Sequence, residues 1–388
     1  MVDGEITDDA RARAVVPTFR YLVGNAARVC VLSHFGRPGG RPDPAHSLAP
    51  VAKTLASLLD HPVRFVEDST PAVALARTSD LAPGEIALLE NTRFHPGETG
   101  NDHELADGWA GLGEIMVNDA FGAAHRAHAS TSGLAHAVRA RGGIAVAGML
   151  MTRELLFLAH ALHDPIRPFN AFLGGAKIAG KLTLVDRLLG KVDALMIGGA
   201  IANTFLAACG HEVGASLVDS ERIGLAAEFL KRGRDRIELP ADCVVTERLV
   251  AGAPHRVVRA NEVGPRDMIV DIGPETVARF RERVRDSRTV VMNGPFGVLD
   301  LPAYARGTAQ VLEEIARLCE TDGIGILGGG DSAAAARMAG LVERLTHVST
   351  GGGASLALLA GENLPGVDCL NDVLQAAAEP PARVGVGA

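Results

Sequence analysis

Along the chain, short runs of β-branched and aliphatic residues alternate with longer stretches in which Ala and Leu recur among Arg and Glu. Strand-length apolar runs followed by helix-length amphipathic ones mark βαβ units around a parallel sheet. The pattern predicts strands at Arg28–Ser33, Glu85–Leu89, Ile115–Asn118, Ala171–Leu173, Ala194–Ile197, Cys243–Thr246, Met268–Ile272, Thr289–Met292 and Gly325–Leu327. Many of these runs end in Gly, Asn, Asp or His, as in Ser33-His34-Phe35-Gly36, Glu90-Asn91, Asn118-Asp119, Gly174-Gly175, Gly198-Gly199, Asn293-Gly294 and Gly328-Gly329-Gly330-Asp331. Ligands of open parallel sheets bind outside the carboxyl ends of the strands, so chemistry is expected at these tips. The stretch Met149–His163 predicts a helix ending before the Asp164-Pro165 and Arg167-Pro168 breakers, and is the expected joint between two lobes.

Length supports two lobes, because 388 residues exceed the ~250–300 at which single cores usually stop growing. Aromatic residues make up only 4%, so an aliphatic core is expected. The net charge of −8 opposes general attraction to nucleic acid or an acidic membrane, and leaves room for a local basic patch. Cys30, Cys209, Cys243, Cys319 and Cys369 are scattered singly, which supports neither a disulfide framework nor a zinc site and fits a reducing, cytoplasmic compartment. No export or anchoring signal is visible, and no apolar stretch reaches the ~18 residues of a membrane span. The Ala-, Pro- and Gly-rich tail from Leu374 is expected to fray.

Two constellations stand out. In the first half, Arg11, His34, Arg37, Arg93, His125 and Arg126 each lie at or near a predicted strand tip or helix start. If the tips converge, these residues form a cationic bowl suited to a small doubly anionic substrate, since arginine forks pair with phosphate or carboxylate oxygens. The alternative is that each arginine pairs with a surface carboxylate. In the second half, Leu173-Gly174-Gly175-Ala176-Lys177-Ile178-Ala179-Gly180-Lys181 reads as strand, glycine turn and helix start, with lysines at i and i+4 on one face. Helix-terminal amides and two cations make a phosphate cradle, although the order is not that of a Walker A loop; the alternative is a pair of solvated lysines. Asp331, in Gly328-Gly329-Gly330-Asp331-Ser332, suits either an N-cap or a ligand of phosphate-bound Mg²⁺. Ser349-Thr350-Gly351-Gly352-Gly353-Ala354-Ser355 offers bare amides to an anion. Asp300, after Asn293-Gly294-Pro295-Phe296-Gly297, is placed either to accept from sugar hydroxyls or to serve as a turn carboxylate.

Taken together, Ser33–Pro38, Leu89–Phe94, Val117–His128, Gly174–Lys177, Asn293–Val298, Gly328–Ser332 and Ser349–Ser355 resemble phosphoglycerate kinase, in that family's order and spacing. The resemblance implies an α/β chain of two similar-sized Rossmann-like lobes with parallel sheets, joined by an interdomain helix, with the substrate cleft between them. The expected division is 1–148, a hinge helix at 149–163 and a nucleotide lobe at 164–364, with 365–388 packing back on the first lobe or frayed. It implies 3-phosphoglycerate or 1,3-bisphosphoglycerate on Arg11, His34, Arg37, Arg93, His125 and Arg126. It implies ADP or ATP with Mg²⁺ on Gly175, Ala176, Lys177, Lys181, Gly199, Asn293, Pro295, Asp300, Gly330, Asp331 and Ser332, the metal on Asp331. Arg11, Lys177, Lys181, Gly352 and Gly353 would surround the phosphoryl group in flight.

A cytoplasmic monomer that binds neither nucleic acid nor membrane is expected. Direct in-line transfer suits the loose transition state, which asks for positioning and positive charge rather than a covalent nucleophile. The sequence departs from the family in places. Its members begin with a strand reading Arg-Val-Asp-x-Asn, whereas Met1-Val2-Asp3-Gly4 falls in the loop that follows, so a strand and two substrate contacts are expected to be missing. Gly180 stands where the family has Asp, Met292 where it has Trp, and Ala357 where it has Glu. These departures motivate a second reading, a catalytically impaired nucleotide-binding paralogue. A dinucleotide-dependent oxidoreductase is a third, opposed by the lack of a G-x-G-x-x-G opening a helix.

Overall fold

The computed structural model describes residues 6–176, 178–233 and 235–371, with the side chains at 159–163, 178 and 179 outside that description. The expected fraying of the tail, and Lys177, therefore lie outside the described residues. The strands are β1 (Val29–Val31), β2 (Val63–Val66), β3 (Ile86–Leu89), β4 (Ile115–Asn118), β5 (Ile144–Ala147), β6 (Phe169–Leu173), β7 (Ala194–Ile197), β8 (Ile237–Glu238), β9 (Asp242–Thr246), β10 (His255–Arg259), β11 (Met268–Ile272), β12 (Thr289–Asn293), β13 (Ile324–Gly328) and β14 (His347–Val348). The helices are α1 (Ala10–Gly24), α2 (Ala49–Leu59), α3 (Pro71–Thr78), α4 (His103–Ala110), α5 (Leu134–Ala140), α6 (Met149–His163), α7 (Ile178–Leu189), α8 (Gly199–Ala208), α9 (Ile223–Arg232), α10 (Pro274–Arg285), α11 (Arg306–Cys319), α12 (Gly330–Met338), α13 (Gly353–Leu359) and α14 (Pro365–Asp368). Among the described residues no helix is long and apolar enough to cross a membrane.

Contacts divide the chain into two compact units, and the division falls inside α6, between Leu156 and Phe157. The segment from Asn363 belongs with the first unit. There the Gly366 amide donates to the Ala124 carbonyl at 2.9 Å, and the Asn118 side chain donates to the Gly366 carbonyl at 2.7 Å. The first unit holds a 3-stranded parallel sheet, β1-β3-β2, and a separate 2-stranded parallel pair, β4-β5. Helices α1 and α2 cover one face of the larger piece through Val16, Leu55 and Leu59 against Val29 and Ile86. Proline at the first turn of α2 and α3 presets the helical φ where no amide partner is needed. Asp102 caps α4, accepting from the Leu105 amide at 2.8 Å.

The second unit holds a 6-stranded parallel sheet, β14-β13-β12-β6-β7-β8. Strands β6, β7 and β12 are buried at every residue, as expected of parallel strands covered on both faces. Beside it, β10-β9-β11 form a 3-stranded antiparallel sheet, so the runs at Cys243–Thr246 and Met268–Ile272 are strands but not members of the parallel sheet.

The core is mainly Leu, Ile, Val and Ala, as expected, with a few aromatic rings set into it. The largest fully buried side chains are aromatic, including Trp109, Tyr304, Phe121 and Phe172. In the second unit the Phe280 ring meets Phe172 edge-on at 5.8 Å and Phe296 at 5.5 Å. Scarcity on this chain means concentration: its few rings go where edge-to-face packing and large buried area count most. Phe280→Ala is expected to cost about 3–5 kcal/mol of unfolding free energy, read from urea denaturation followed by circular dichroism.

Candidate anion-binding sites

In the first unit the loops after β1, β3 and β4 carry the predicted basic residues other than Arg11, which lies in the first turn of α1. Asn91 clips two of these loops together, donating to the Phe35 carbonyl at 2.7 Å and the His46 carbonyl at 2.9 Å while accepting from the Arg93 amide at 3.0 Å. Gly36 must be glycine, since its φ is +65° and a Cβ there would lie 2.0 Å from the His46 ring. Glu98, fully buried, ties the third loop in by accepting from the Ser130 amide at 3.0 Å and hydroxyl at 2.6 Å. Glu90 accepts from the Leu48 amide at 2.8 Å and so anchors the start of α2.

This scaffold brings the predicted residues within electrostatic reach of one another. Burial, then the charges of Arg93, His128 and Arg11, push the His34 imidazole down to about 4. Burial, with Arg126 and Arg37 nearby, lowers Arg93, and Glu98 only partly offsets this. Burial, then Arg93, Arg126 and His125, lowers His128. Among the described residues no carboxylate forms an ion pair with Arg11, Arg37, Arg93 or Arg126, whereas Arg13, Arg64 and Arg141 pair with Asp9, Asp80 and Asp107. Surface pairing therefore describes the second group of arginines and not the first. Arg93 donates from Nη1 to the Gly36 carbonyl at 2.7 Å, which leaves its buried Nε without a partner among the described residues. His34 differs from expectation: it is neutral near pH 7, because burial among guanidinium groups penalises its charged form.

In the second unit the tips of β6, β7, β12 and β13 meet in a tight cluster. A Cβ at Gly174 would lie 2.2 Å from the Pro295 carbonyl oxygen, one at Gly199 2.6 Å from the Gly175 amide nitrogen, and one at Gly294 2.4 Å from the Gly174 carbonyl oxygen. The Lys181 ammonium turns inward and donates to the carbonyls of Gly174 and Asn293. That side chain is 5% exposed, so a solvated-surface reading fails for it. Ser332 accepts from the Gly294 amide at 2.6 Å and donates to the Gly328 carbonyl at 2.8 Å, and Asn293 donates to the same carbonyl at 2.9 Å. The structure thus joins Gly175, Lys181, Gly199, Asn293, Pro295 and Ser332.

The remaining predicted positions are placed as follows. Ala176 follows Gly175 and is exposed. Gly330 opens α12 behind the N-cap Gly329, so Asp331 is not the N-cap and makes no capping bond; its carboxylate is exposed. Asp300 lies exposed on the loop after β12, with no hydrogen bond or ion pair among the described residues. Gly352, at φ +53°, caps α13 and Gly353 opens it, and α13 packs against α7.

The family model described as phosphoglycerate kinase matches residues 1–362. The chain belongs to the phosphoglycerate kinase family. The phosphoglycerate kinase of Chloroflexus aggregans is 46% identical over 374 residues, covering 95% of this chain and 92% of that protein. The phosphoglycerate kinase of Chlorobium phaeovibrioides is 46% identical over 371 residues with the same coverage. Among solved structures, phosphoglycerate kinase from Coxiella burnetii superposes with a TM-score of 0.83 at 37% identity, covering 95% of this chain and 92% of that one. Membership in the phosphoglycerate kinase family makes the chain a phosphotransferase; the impaired paralogue is not favoured, and nothing supports the oxidoreductase.

Three residues escaped the sequence reading as parts of this geometry. His128, 3% exposed, belongs to the electrostatic network and follows Arg126 by two positions, which was the available signal. Asn91 and Glu98 act through contacts distant in sequence. For Lys181 no carboxylate at position 180 is needed, since its ammonium is oriented by main-chain carbonyls, and a Cβ at Gly180 meets nothing within 4 Å. Gly180→Ala is expected to raise stability by about 1 kcal/mol without loss of activity, checked by thermal denaturation and a kinetic assay. His34, lowered from 6.5 to about 4, makes unfolding free energy fall as pH drops from 6.5 towards 4, because the unfolded chain then binds the proton that the folded one refuses. A His34→Gln variant is expected to show a flatter stability profile across that window in urea titrations.

Proposed function

We propose that this chain catalyses reversible, Mg²⁺-dependent phosphoryl transfer between 1,3-bisphosphoglycerate and ADP, giving 3-phosphoglycerate and ATP, as a cytoplasmic monomer. The observation that carries the reading is the gathering of Arg11, Arg37, Arg93 and Arg126 without carboxylate partners, since such a cluster gains stability only when an anion arrives. In this reading Arg11, His34, Arg37, Arg93, His125 and Arg126 hold the phosphoglycerate, with Arg93 Nε free to donate and neutral His34 offering a hydrogen bond. His128 is added to that set. The five thiols, all free, suit a reducing compartment.

Gly175, Ala176, Lys177, Lys181, Gly199, Asn293, Pro295, Asp300, Gly330 and Ser332 are assigned to the nucleotide. Asp331 is assigned to Mg²⁺. A single exposed carboxylate fits an ion that keeps most of its ligands from phosphates and water. The metal would neutralise charge on the transferring phosphates. Lys181, already fixed near the amides at the β6 and β12 tips, supplies positive charge at the nucleotide end, and Arg11, Lys177, Gly352 and Gly353 are assigned to the phosphoryl group in flight. Helix α6 is the proposed joint between the phosphoglycerate and nucleotide units.

ATP-dependent formation of 1,3-bisphosphoglycerate from 3-phosphoglycerate, coupled to NADH oxidation, is the direct test; nucleotide binding without turnover would refute the reading. Arg11→Ala is expected to lower kcat by about 10²–10³-fold with little change in KM. Asp300→Ala is expected chiefly to raise the KM for nucleotide.

A further inference from the structure

At the end of β11 a carboxylate is buried without a counter-ion. Asp271 is 1% exposed and forms no ion pair among the described residues. Both of its oxygens serve main chain: Oδ1 accepts from the Ile272 amide at 2.9 Å and Oδ2 from the Gly307 amide at 2.8 Å. Gly307 lies in the first turn of α11, so this carboxylate does the capping that Ala305, at the N-cap, has no side chain to do. A Cβ at Gly297 would lie 2.6 Å from Asp271 Oδ1 and 1.9 Å from the Tyr304 carbonyl oxygen, and one at Gly307 would lie 2.6 Å from the same Oδ1. Main chain therefore closes on the carboxylate from two sides.

Gly297 and Gly307 stand at the two ends of the loop between β12 and α11, and this loop carries Asp300. Its other ties lie at the same base. The Val298 amide donates to the Val270 carbonyl at 3.1 Å, and the Phe296 amide to the Thr308 hydroxyl at 2.9 Å. Beyond them the Leu301 amide closes a turn on the Val298 carbonyl at 3.2 Å, with Asp300 inside the turn and exposed. The loop is fixed at its base and open at its tip, so the placing of Asp300 depends on how firmly the base is held.

Burial pushes the Asp271 carboxyl up to about 7, and the Gly307 and Ile272 amides only partly hold it down. The elements packed against it supply no compensating cation. Strand β9 brings Cys243, whose thiol is pushed up to about 12 and stays neutral, and Asp242, whose oxygens go to the Glu275 and Thr276 amides. Helix α8 brings no titratable side chain, and Arg306, beside Gly307 on α11, is exposed and makes no ion pair among the described residues.

We propose that Asp271 is a positioning residue for the nucleotide: by holding both ends of the loop, it keeps Asp300 where it accepts from the ribose hydroxyls. This rests on the nucleotide reading of Asp300 given above, and adds the group through which that carboxylate is placed.

The test compares ADP with 2′,3′-dideoxy-ADP, which lacks both hydroxyls, by calorimetric titration of the full chain and of its Asp271→Asn variant. Asparagine has one oxygen for two amides, so one amide is left facing an NH₂ group. The unaltered chain is expected to prefer ADP by about tenfold. The variant is expected to lose most of that preference while binding the dideoxy compound as before. A preference that Asp271→Asn leaves intact would overturn the proposal alone, whereas no preference in the unaltered chain would overturn the Asp300 assignment and the proposal with it. The pH profile reads the same contact without a substitution, and decides the matter if the variant does not fold. As pH falls from 8 to 6 the carboxyl gains a proton and holds the amides less tightly, so the preference is expected to shrink; the ratio of the two ligands cancels the titration of their phosphates. Asp271's own contribution to unfolding free energy rises over that window, because the folded chain takes the proton at about 7 and the unfolded one only near 3.8. A shrinking preference is then a local loss of hold and not unfolding, and a preference constant from pH 8 to pH 6 would overturn the proposal.

Discussion

Burial of basic side chains that have no ion-pair partner, with Arg126 and Arg37 adding repulsion at Arg93, is the constraint to which the loops of the first unit answer. Like charges at close range in a partly desolvated site cost free energy, and no ion pair among the described residues cancels it. The loops that carry Arg37, Arg93 and Arg126 are held in place by buried polar side chains. Asn91, Glu90 and Glu98 do this, each buried and each spending its polar atoms on main chain or hydroxyls rather than on the arginines.

The second unit is built by another route. The turn proposed for the nucleotide is main chain drawn close at Gly174, Gly175, Gly199 and Gly294, with the Lys181 ammonium buried beneath. Among the described residues there, directional main-chain groups outnumber cations. A guanidinium bowl suits a small, freely tumbling acid held from several sides, whereas an amide-lined turn suits a phosphate chain laid along it.

Much of this was legible in the sequence because the strands that carry the site are apolar runs ending abruptly in Gly, Asn or His. Most of the strands left unread have different patterns: Arg64 interrupts Val63–Val66, charged residues bracket the valines of His255–Arg259, and Ile237–Glu238 and His347–Val348 are two residues each, whereas Ile144–Ala147 is a short apolar run that ends in alanine rather than in a polar tip. Strand direction was not legible either, since β9 and β11 look as apolar as their parallel counterparts and only the antiparallel pairing of β9 with β10 and β11 reveals it. Within the site, residue types and tips could be read, but protonation could not: His34 is neutral because of what folding places around it. The role of Asp331 turned on a shift of two positions, Gly329 taking the cap and leaving the carboxylate in solvent.

The crowding at the β6, β7 and β12 tips has a bearing on how such a sequence can change over time. At Gly174, Gly199 and Gly294 an added methyl group would collide with main-chain atoms that no rotamer adjustment can move aside. Single replacements there are closed off even to alanine, so this turn can be inherited intact or exchanged as a whole, while the open flank of α7 around Gly180 remains free to vary one residue at a time.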